Sequence, residues 1–149
     1  MGNTRLAPTG RRRTNERTHM QTTTTTKGAV SEYRSAAWFS EQGFEIFWTP
    51  SGAGPCDFIA IRGTESQRVQ VKTAHWCQQG GSRYLRGPVQ PRKGQYKDGD
   101  YDLLAIVCPD RRVWIIPYKE VPETSYIYLE RINKHGDTKE YGWKKCQVI

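Results

Sequence analysis

The sequence predicts an α/β fold, with one helix followed by a mixed central β-sheet in the order αβββ-β. Three observations carry that expectation. Residues 29–42 follow a helical period, with Val30, Tyr33, Ala36/Ala37 and Ser40 on one stripe. Three short strand-like runs come next: "FEIFW" (44–48), "DFIAI" (57–61) and "VQVKTA" (69–74). Two further apolar runs, "YDLLAIVC" (101–108) and "VWIIP" (113–117), then complete a buried sheet.

The elements follow in order. Residues 1–26 are polar, rich in Arg and Thr, and end in Thr22–Thr26. No apolar period appears there, so they read as a disordered basic leader. Met20 opens "MQTTTTTKGAV" and reads as an alternative start, which makes 1–19 dispensable. The domain proper is expected over 27–149. Gly43 stands where a helix C′ residue belongs. "TPSGAGPC" (49–56) is a Gly/Pro loop and "RGTESQ" (62–67) a turn. "RYLRGPV" (83–89) reads as a strand, "QPRKGQYKDGD" (90–100) as a loop and "YKEVPE" (118–123) as one helical turn. "SYIYLE" (125–130) reads as an edge strand, and the end, with Tyr141 and Trp143, as a loosely structured arm docked by its aromatics.

Charge narrows the function classes. The chain has 149 residues and a net charge of +8, from 23 Lys+Arg against 15 Asp+Glu. Six basic residues against Glu16 alone put +5 of that into residues 1–27, which leaves the body only mildly basic. Such a balance suits a polyanion such as nucleic acid, or equally a solvated tail on a near-neutral domain. No run approaches the roughly 18 apolar residues of a membrane span, and no apolar run follows the basic N-terminus as a secretory signal requires. The chain is therefore expected in the cytoplasm or an organelle, neither secreted nor membrane-bound. Cys56, Cys77, Cys108 and Cys146 form no C-x-x-C pair and read as reduced thiols. His19, His75 and His135 are scattered, with no zinc spacing and no Ser/His/Asp or Cys/His grouping.

The informative constellation lies in the predicted hairpin. With its turn centred between Thr64 and Glu65, Asp57 faces Lys72 and Ile59 faces Gln70. Directly paired residues share a face, as do residues two apart on one strand. Asp57, Gln70 and Lys72 then converge on one side, and Val69, Val71 and Thr73 point to the other. A strand-end Asp–Lys bridge would explain two of these residues. Burying an acid and a lysine costs desolvation, so a ligand is the second explanation.

"GPCDFIAI…VQVKTA" resembles the PD-(D/E)xK nuclease signature, with Pro55 and Asp57 as its first half and Gln70-Val71-Lys72 as its second. The order of elements resembles that superfamily's restriction-endonuclease-like core. Together with "KGAVSEYRSAAWFSEQGFEIFWTP" and "YDLLAIVCPDRRVWIIPYKEVP", the pattern is similar to the group I intron-associated homing endonucleases over residues 27–130, and more distantly to Holliday junction resolvases. Two departures stand out. Cys56 separates the Pro from the Asp, and Gln70 replaces the usual second acid. The resemblance implies a Mg²⁺-dependent, site-specific endonuclease acting on double-stranded DNA rather than on a small molecule, with Mn²⁺ as a substitute. Asp57, Gln70 and the Val71 carbonyl are the implied oxygen ligands. Lys72 supplies charge near the scissile phosphate. Glu32 stands where a helix carboxylate would help hold a second metal, or is an ordinary first-turn acid.

Lys27, Ser51, Arg83, Arg86, Arg92, Lys93 and Lys97 are candidate DNA contacts, each with solvated surface as its alternative. One small catalytic domain holds one active site, so cutting both strands implies a homodimer or homotetramer. Tyr126, Tyr128 and Trp143 are candidates for that interface. Two rival readings remain: a Holliday junction resolvase, and a nuclease-like fold kept only for binding DNA.

Overall fold

The computed structural model describes residues 24–50, 54–143 and 145–147, with only the backbone at 24 and 145–147. Helix α1 runs Thr24–Glu41 and is followed by strands β1 (Glu45–Trp48), β2 (Phe58–Arg62) and β3 (Glu65–Thr73). Next come β4 (His75–Gln79), β5 (Ser82–Pro88), β6 (Leu103–Val107) and β7 (Arg112–Pro117). A 3₁₀ turn at Tyr118–Glu120 precedes β8 (Tyr126–Ile132), β9 (Thr138–Glu140) and β10 (Lys145–Gln147). The strands form two sheets, a six-stranded one ordered β1-β2-β3-β6-β7-β10 and a four-stranded one ordered β4-β5-β8-β9. Among the described residues of the first sheet only the β3–β6 pairing is parallel, so that sheet is mixed, as expected.

Helix α1 ends where Gly43 predicts. Gly43 takes φ 84° and donates to Ser40 O, while Phe44 N–H donates to Phe39 O, closing a Schellman motif. Its start differs from expectation: Thr24–Thr26, assigned to the leader, are helical. The rest of that leader, and the Met20 start, lie outside the described residues. The buried stripe is also rotated. Ser31, Ser35, Ala36 and Phe39 face the sheet, whereas Val30 and Tyr33 are exposed. Small residues let α1 approach β3 closely, and Ser31 Oγ hydrogen-bonds Thr73 Oγ1 at 2.7 Å. Phe39 anchors the contact among Phe58, Ala60, Val69 and Val71.

The β2–β3 hairpin closes through Gly63-Thr64. Gly63 takes φ 60°, the positive value a type II′ loop needs at its first central position. Phe58 pairs with Val69 and Arg62 with Glu65, so the register lies two residues from the expected one. Asp57 stands opposite Gln70, not Lys72, with Asp57 N–H donating to Val69 O at 2.8 Å. An even shift leaves every side chain on its face, whereas a shift of one would have inverted them all.

The second sheet was not foreseen. At Ala74, whose N–H donates to Val107 O, the chain leaves β3 and enters β4 in the other sheet. β8 is not an edge, because β9 pairs along its far side. The expected loose arm contributes β9 and β10, and Trp143 Nε1 donates to Tyr128 O at 3.1 Å. The two sheets pack face to face through Leu104, Ile106 and Trp114 on one side and Leu85, Ile127 and Leu129 on the other. Cys56 and Cys108 are buried free thiols and Cys77 is half-buried; the Cys146 side chain lies outside the described residues. No helix among the described residues is long and apolar enough to cross a membrane.

The sheets approach closely at Gly87. A Cβ there would stand 2.7 Å from Ile106 Cγ2 and 2.9 Å from its Cδ1, and Ile106 is fully buried. Gly87→Ala is expected to lower the unfolding free energy by about 1–3 kcal/mol through overpacking, read from urea denaturation midpoints.

Candidate active site

The site is built where the loop after β1 meets the middle of β3. Thr49 pins that loop: its Oγ1 donates to Cys56 O at 2.7 Å and to Asp57 O at 3.0 Å, and its N–H donates to Asp57 O at 3.1 Å. Asp57 is thereby held at the mouth of β2. Its Oδ2 accepts from Val71 N–H at 2.6 Å and from Gln70 Nε2 at 2.7 Å. Gln70 Nε2 also donates to Val71 O at 3.1 Å. A carboxylate oxygen and a backbone carbonyl oxygen thus point at one small volume, and an amide NH₂ bridges them.

Gln70 and Lys72 share the face of their β6 partners Leu104 and Ile106, which looks toward the second sheet. The loop 89–102 covers them instead of a strand. It places Tyr96 so that Lys72 Nζ lies 5.2 Å from the ring centroid, a cation–π contact. Arg68 anchors the base of this loop. It donates to Asp102 through Nε at 3.0 Å and Nη2 at 2.7 Å, and to Gly99 O through Nη1. The Asp57 side of the loop encloses a cleft of about 530 Å³, lined by Gly54, Pro55, Asp57, Gln70, Gln95 and Tyr96 among others.

Electrostatics mark the cleft as strained. Burial pushes the Asp57 carboxyl above its usual value, partly offset by the Val71 N–H and the Lys72 charge. Burial lowers the Lys72 ammonium, and Asp57 works against that shift. Glu32, on α1 beside Ser31, is raised by burial and then by the Asp57 charge, so its carboxyl lies within the field of the site. The Tyr96 hydroxyl is pushed up to about 12 by burial, with Asp57 and Asp100 adding to it, and stays a neutral donor.

Of the residues singled out by sequence, Asp57, Gln70, Val71 and Lys72 come together, and Glu32 approaches them electrostatically. Arg92, Lys93 and Lys97 are exposed on the covering loop, and Lys27 is exposed near the start of α1. Arg83 and Arg86 lie in β5 of the second sheet, the first over Trp76 and the second over Tyr126. Ser51 lies outside the described residues. Tyr96 and Arg68 were missed. Only the place of Tyr96 between Lys93 and Lys97 hinted at a role, and nothing local signalled the Arg68–Asp102 pair.

The donor set fits a hard cation only in part. Among the described residues no three His, Cys, Asp or Glu side chains cluster. Asp57 and the Val71 carbonyl already converge, and a 180° turn of the Gln70 amide would present Oε1 in place of the NH₂. Glu32 adds a second negative charge nearby.

No family model matches the chain. Protein 5.3 of Escherichia phage T7 is 31% identical over 109 residues, spanning 72% of this chain and 91% of that protein. The chain belongs to the Protein 5.3 family. Among solved structures, the bacterial homing endonuclease I-Ssp6803I superposes with a TM-score of 0.60 at 16% identity, covering 72% of this chain and 78% of that one. This member of the Protein 5.3 family therefore has the homing-endonuclease type of restriction-endonuclease-like α/β core.

An acid at position 70 would set two carboxylates against each other where the amide now donates. Gln70→Glu is expected to lower the melting temperature in metal-free buffer. It is also expected to gain a larger Mg²⁺-dependent rise in melting temperature than the unsubstituted protein, measured by calorimetry with and without EDTA.

Proposed function

We propose that the chain is a Mg²⁺-dependent endonuclease of double-stranded DNA of the PD-(D/E)xK type. Its most specific role is site-specific cleavage as a homing endonuclease associated with a group I intron, with residues 27–149 as the nuclease domain. The observation that carries this reading is the convergence of Asp57 Oδ2 and Val71 O on the Gln70 amide, with Lys72 beside them, in a fold similar to that of a bacterial homing endonuclease.

Bound at Asp57, Gln70 and the Val71 carbonyl, the cation would supply Lewis-acid stabilisation of charge on the scissile phosphate. The chain's own groups do the rest. Lys72, held over Tyr96, places a positive charge where negative charge develops on the phosphorus oxygens. Its burial disfavours the ammonium but also reduces screening by water, so the charge acts more strongly on a neighbouring phosphate than a surface lysine would. Asp57 orients its neighbours by accepting two N–H groups, and Glu32 on α1 keeps a further carboxylate within its field. The exposed Arg92, Lys93 and Lys97 follow the covering loop and would meet the duplex as it enters. One cleft cuts one strand, so a double-strand break uses two copies in a homodimer or homotetramer.

A second reading, a DNA-binding module without chemistry, is favoured by the Gln70 NH₂ seated on Asp57. Incubation with supercoiled plasmid and Mg²⁺ separates the two. Nicked and linear product is expected from the native sequence. Lys72→Ala is expected to keep DNA binding and lose cleavage by at least about 100-fold, with Asp57→Ala as a second inactive control. A protein that shifts plasmid mobility and never nicks it would establish the binding module instead.

A further inference from the structure

The outward face of the second sheet carries charge that the cleft does not use. His75 pairs with Arg86 and Cys77 with Tyr84, while Arg131 pairs with Tyr84 on one side and Lys139 on the other. These side chains share one face, opposite the buried Leu85, Ile127 and Leu129. The register shift beside Leu85/Arg86 brings Arg131 onto that face with Tyr128, as the 5.4 Å contact of the Tyr84 and Tyr128 rings confirms. The strands of this sheet contain just two acids, Glu130 and Glu140. Those two pair with each other in register, and Glu130 is buried against Arg112. Among the strand residues of this face every charged side chain is therefore basic, and tyrosines lie between them.

Its cations are held in place. Arg86 lies 4.4 Å from the Tyr126 ring centroid, Arg131 5.5 Å from that of Tyr84 and Lys139 5.6 Å from that of Tyr141. Ring faces already covered by cations leave little platform for stacked bases, whereas guanidinium edges and phenol hydroxyls suit phosphate oxygens. The face is continuous with a second cleft of about 690 Å³. His75 lines that cleft together with Lys27, Arg34 and Thr73. Thr73 and Ser31 line it on the α1 face of β3, opposite the face of Gln70 and Lys72, and Glu32, next to Ser31 on α1, feels the Asp57 charge, so the basic track reaches the candidate active site along α1. A second copy of the chain would set like charges against each other here, while a polyanion is complementary.

We propose that this track, from Lys27 and Arg34 across Arg86 to Arg131 and Lys139, seats the phosphates of the duplex DNA arm flanking the cleft. The inference rests on the DNA reading above and adds where the duplex runs. The test is binding of a fluorescent 30-base-pair duplex in EDTA, followed by anisotropy over a salt series. Each lost phosphate contact lowers the slope of log K against log salt by about 0.9. Arg86→Gln/Arg131→Gln/Lys139→Gln is expected to flatten that slope by about 2–3 and to weaken binding more than about tenfold. Arg86 and Arg131 also make internal contacts, so Lys27→Glu/Lys139→Glu, which alters exposed side chains, serves as the second variant. It is expected to weaken binding similarly while melting like the native protein.

Unchanged affinity and slope in natively melting variants would overturn the inference. So would a variant that loses self-association, or adhesion to anionic vesicles, while still binding duplex normally. If the native protein cleaves plasmid and the variants bind as it does, the track falls and the nuclease reading stands. If the native protein neither binds nor cuts duplex DNA, both fall.

Discussion

Strand β3 is where this molecule is decided, and its parallel pairing with β6 is what fixes it. Antiparallel neighbours can be joined by a tight turn, but a parallel pair needs a long crossover. Here the crossover contains the whole excursion through β4, β5 and the covering loop. The Arg68–Asp102 ion pair closes its lower end: the guanidinium grips the carboxylate, Arg68 N–H donates to the same carboxylate, and Asp102 N–H returns a bond to Arg68 O. At the upper end Thr73 meets Ser31 of α1, and Ala74 bonds Val107 before the chain changes sheets. Between those two anchors lie Gln70, Val71 and Lys72. A shift of these residues along β6 would break the contacts at both ends, so β3 is tied in register on either side of the cleft.

The same crossover explains why some of the structure was readable and some was not. Asp57, Gln70 and Lys72 could be assigned to one face because facing depends on parity alone, and the hairpin register was misjudged by an even number. The turn itself was misplaced because Gly63, not the midpoint of "RGTESQ", supplies the positive φ. The helix face was misread because its contact side is built from Ser31 and Ser35. Polar residues at a close backbone approach look like solvent-facing ones in a hydropathy pattern. "HWCQQ" has no apolar run, and β4 is a strand only because β5 pairs along it. Tyr96 was illegible for a related reason. A loop residue acquires a role through what it covers, and Lys72 lies 24 positions away in the chain.

Burial and charge pull against each other across the cleft. Asp57 and Lys72 each pay for desolvation, and each is partly relieved by the other. A fold selected for stability alone would replace such a pair with apolar residues at little loss. The pair instead sits in an open cleft with a neutral tyrosine, within the field of Glu32, a setting in which perturbed ionisable groups mark a candidate functional site.

Gln70 gives that tension its particular form. In an acidic cluster the site would repel itself when empty and gain strongly when a cation arrives. Here the amide NH₂ lies between the two oxygens and donates to both Asp57 and the Val71 carbonyl. A hydrogen bond to a charged group is worth about 1.5–3 kcal/mol, so displacing it would lower the affinity for a cation roughly 10- to 150-fold. A cation bound there would therefore be weakly held until another ligand joined it. A DNA phosphate is the ligand whose negative charge would make up the carboxylate that Gln70 lacks. Metal and duplex would then bind together, each raising the affinity of the other by the same factor. The cleft would hold its cation firmly only with a phosphate already in place, which confines hydrolysis to the moment when a substrate is seated.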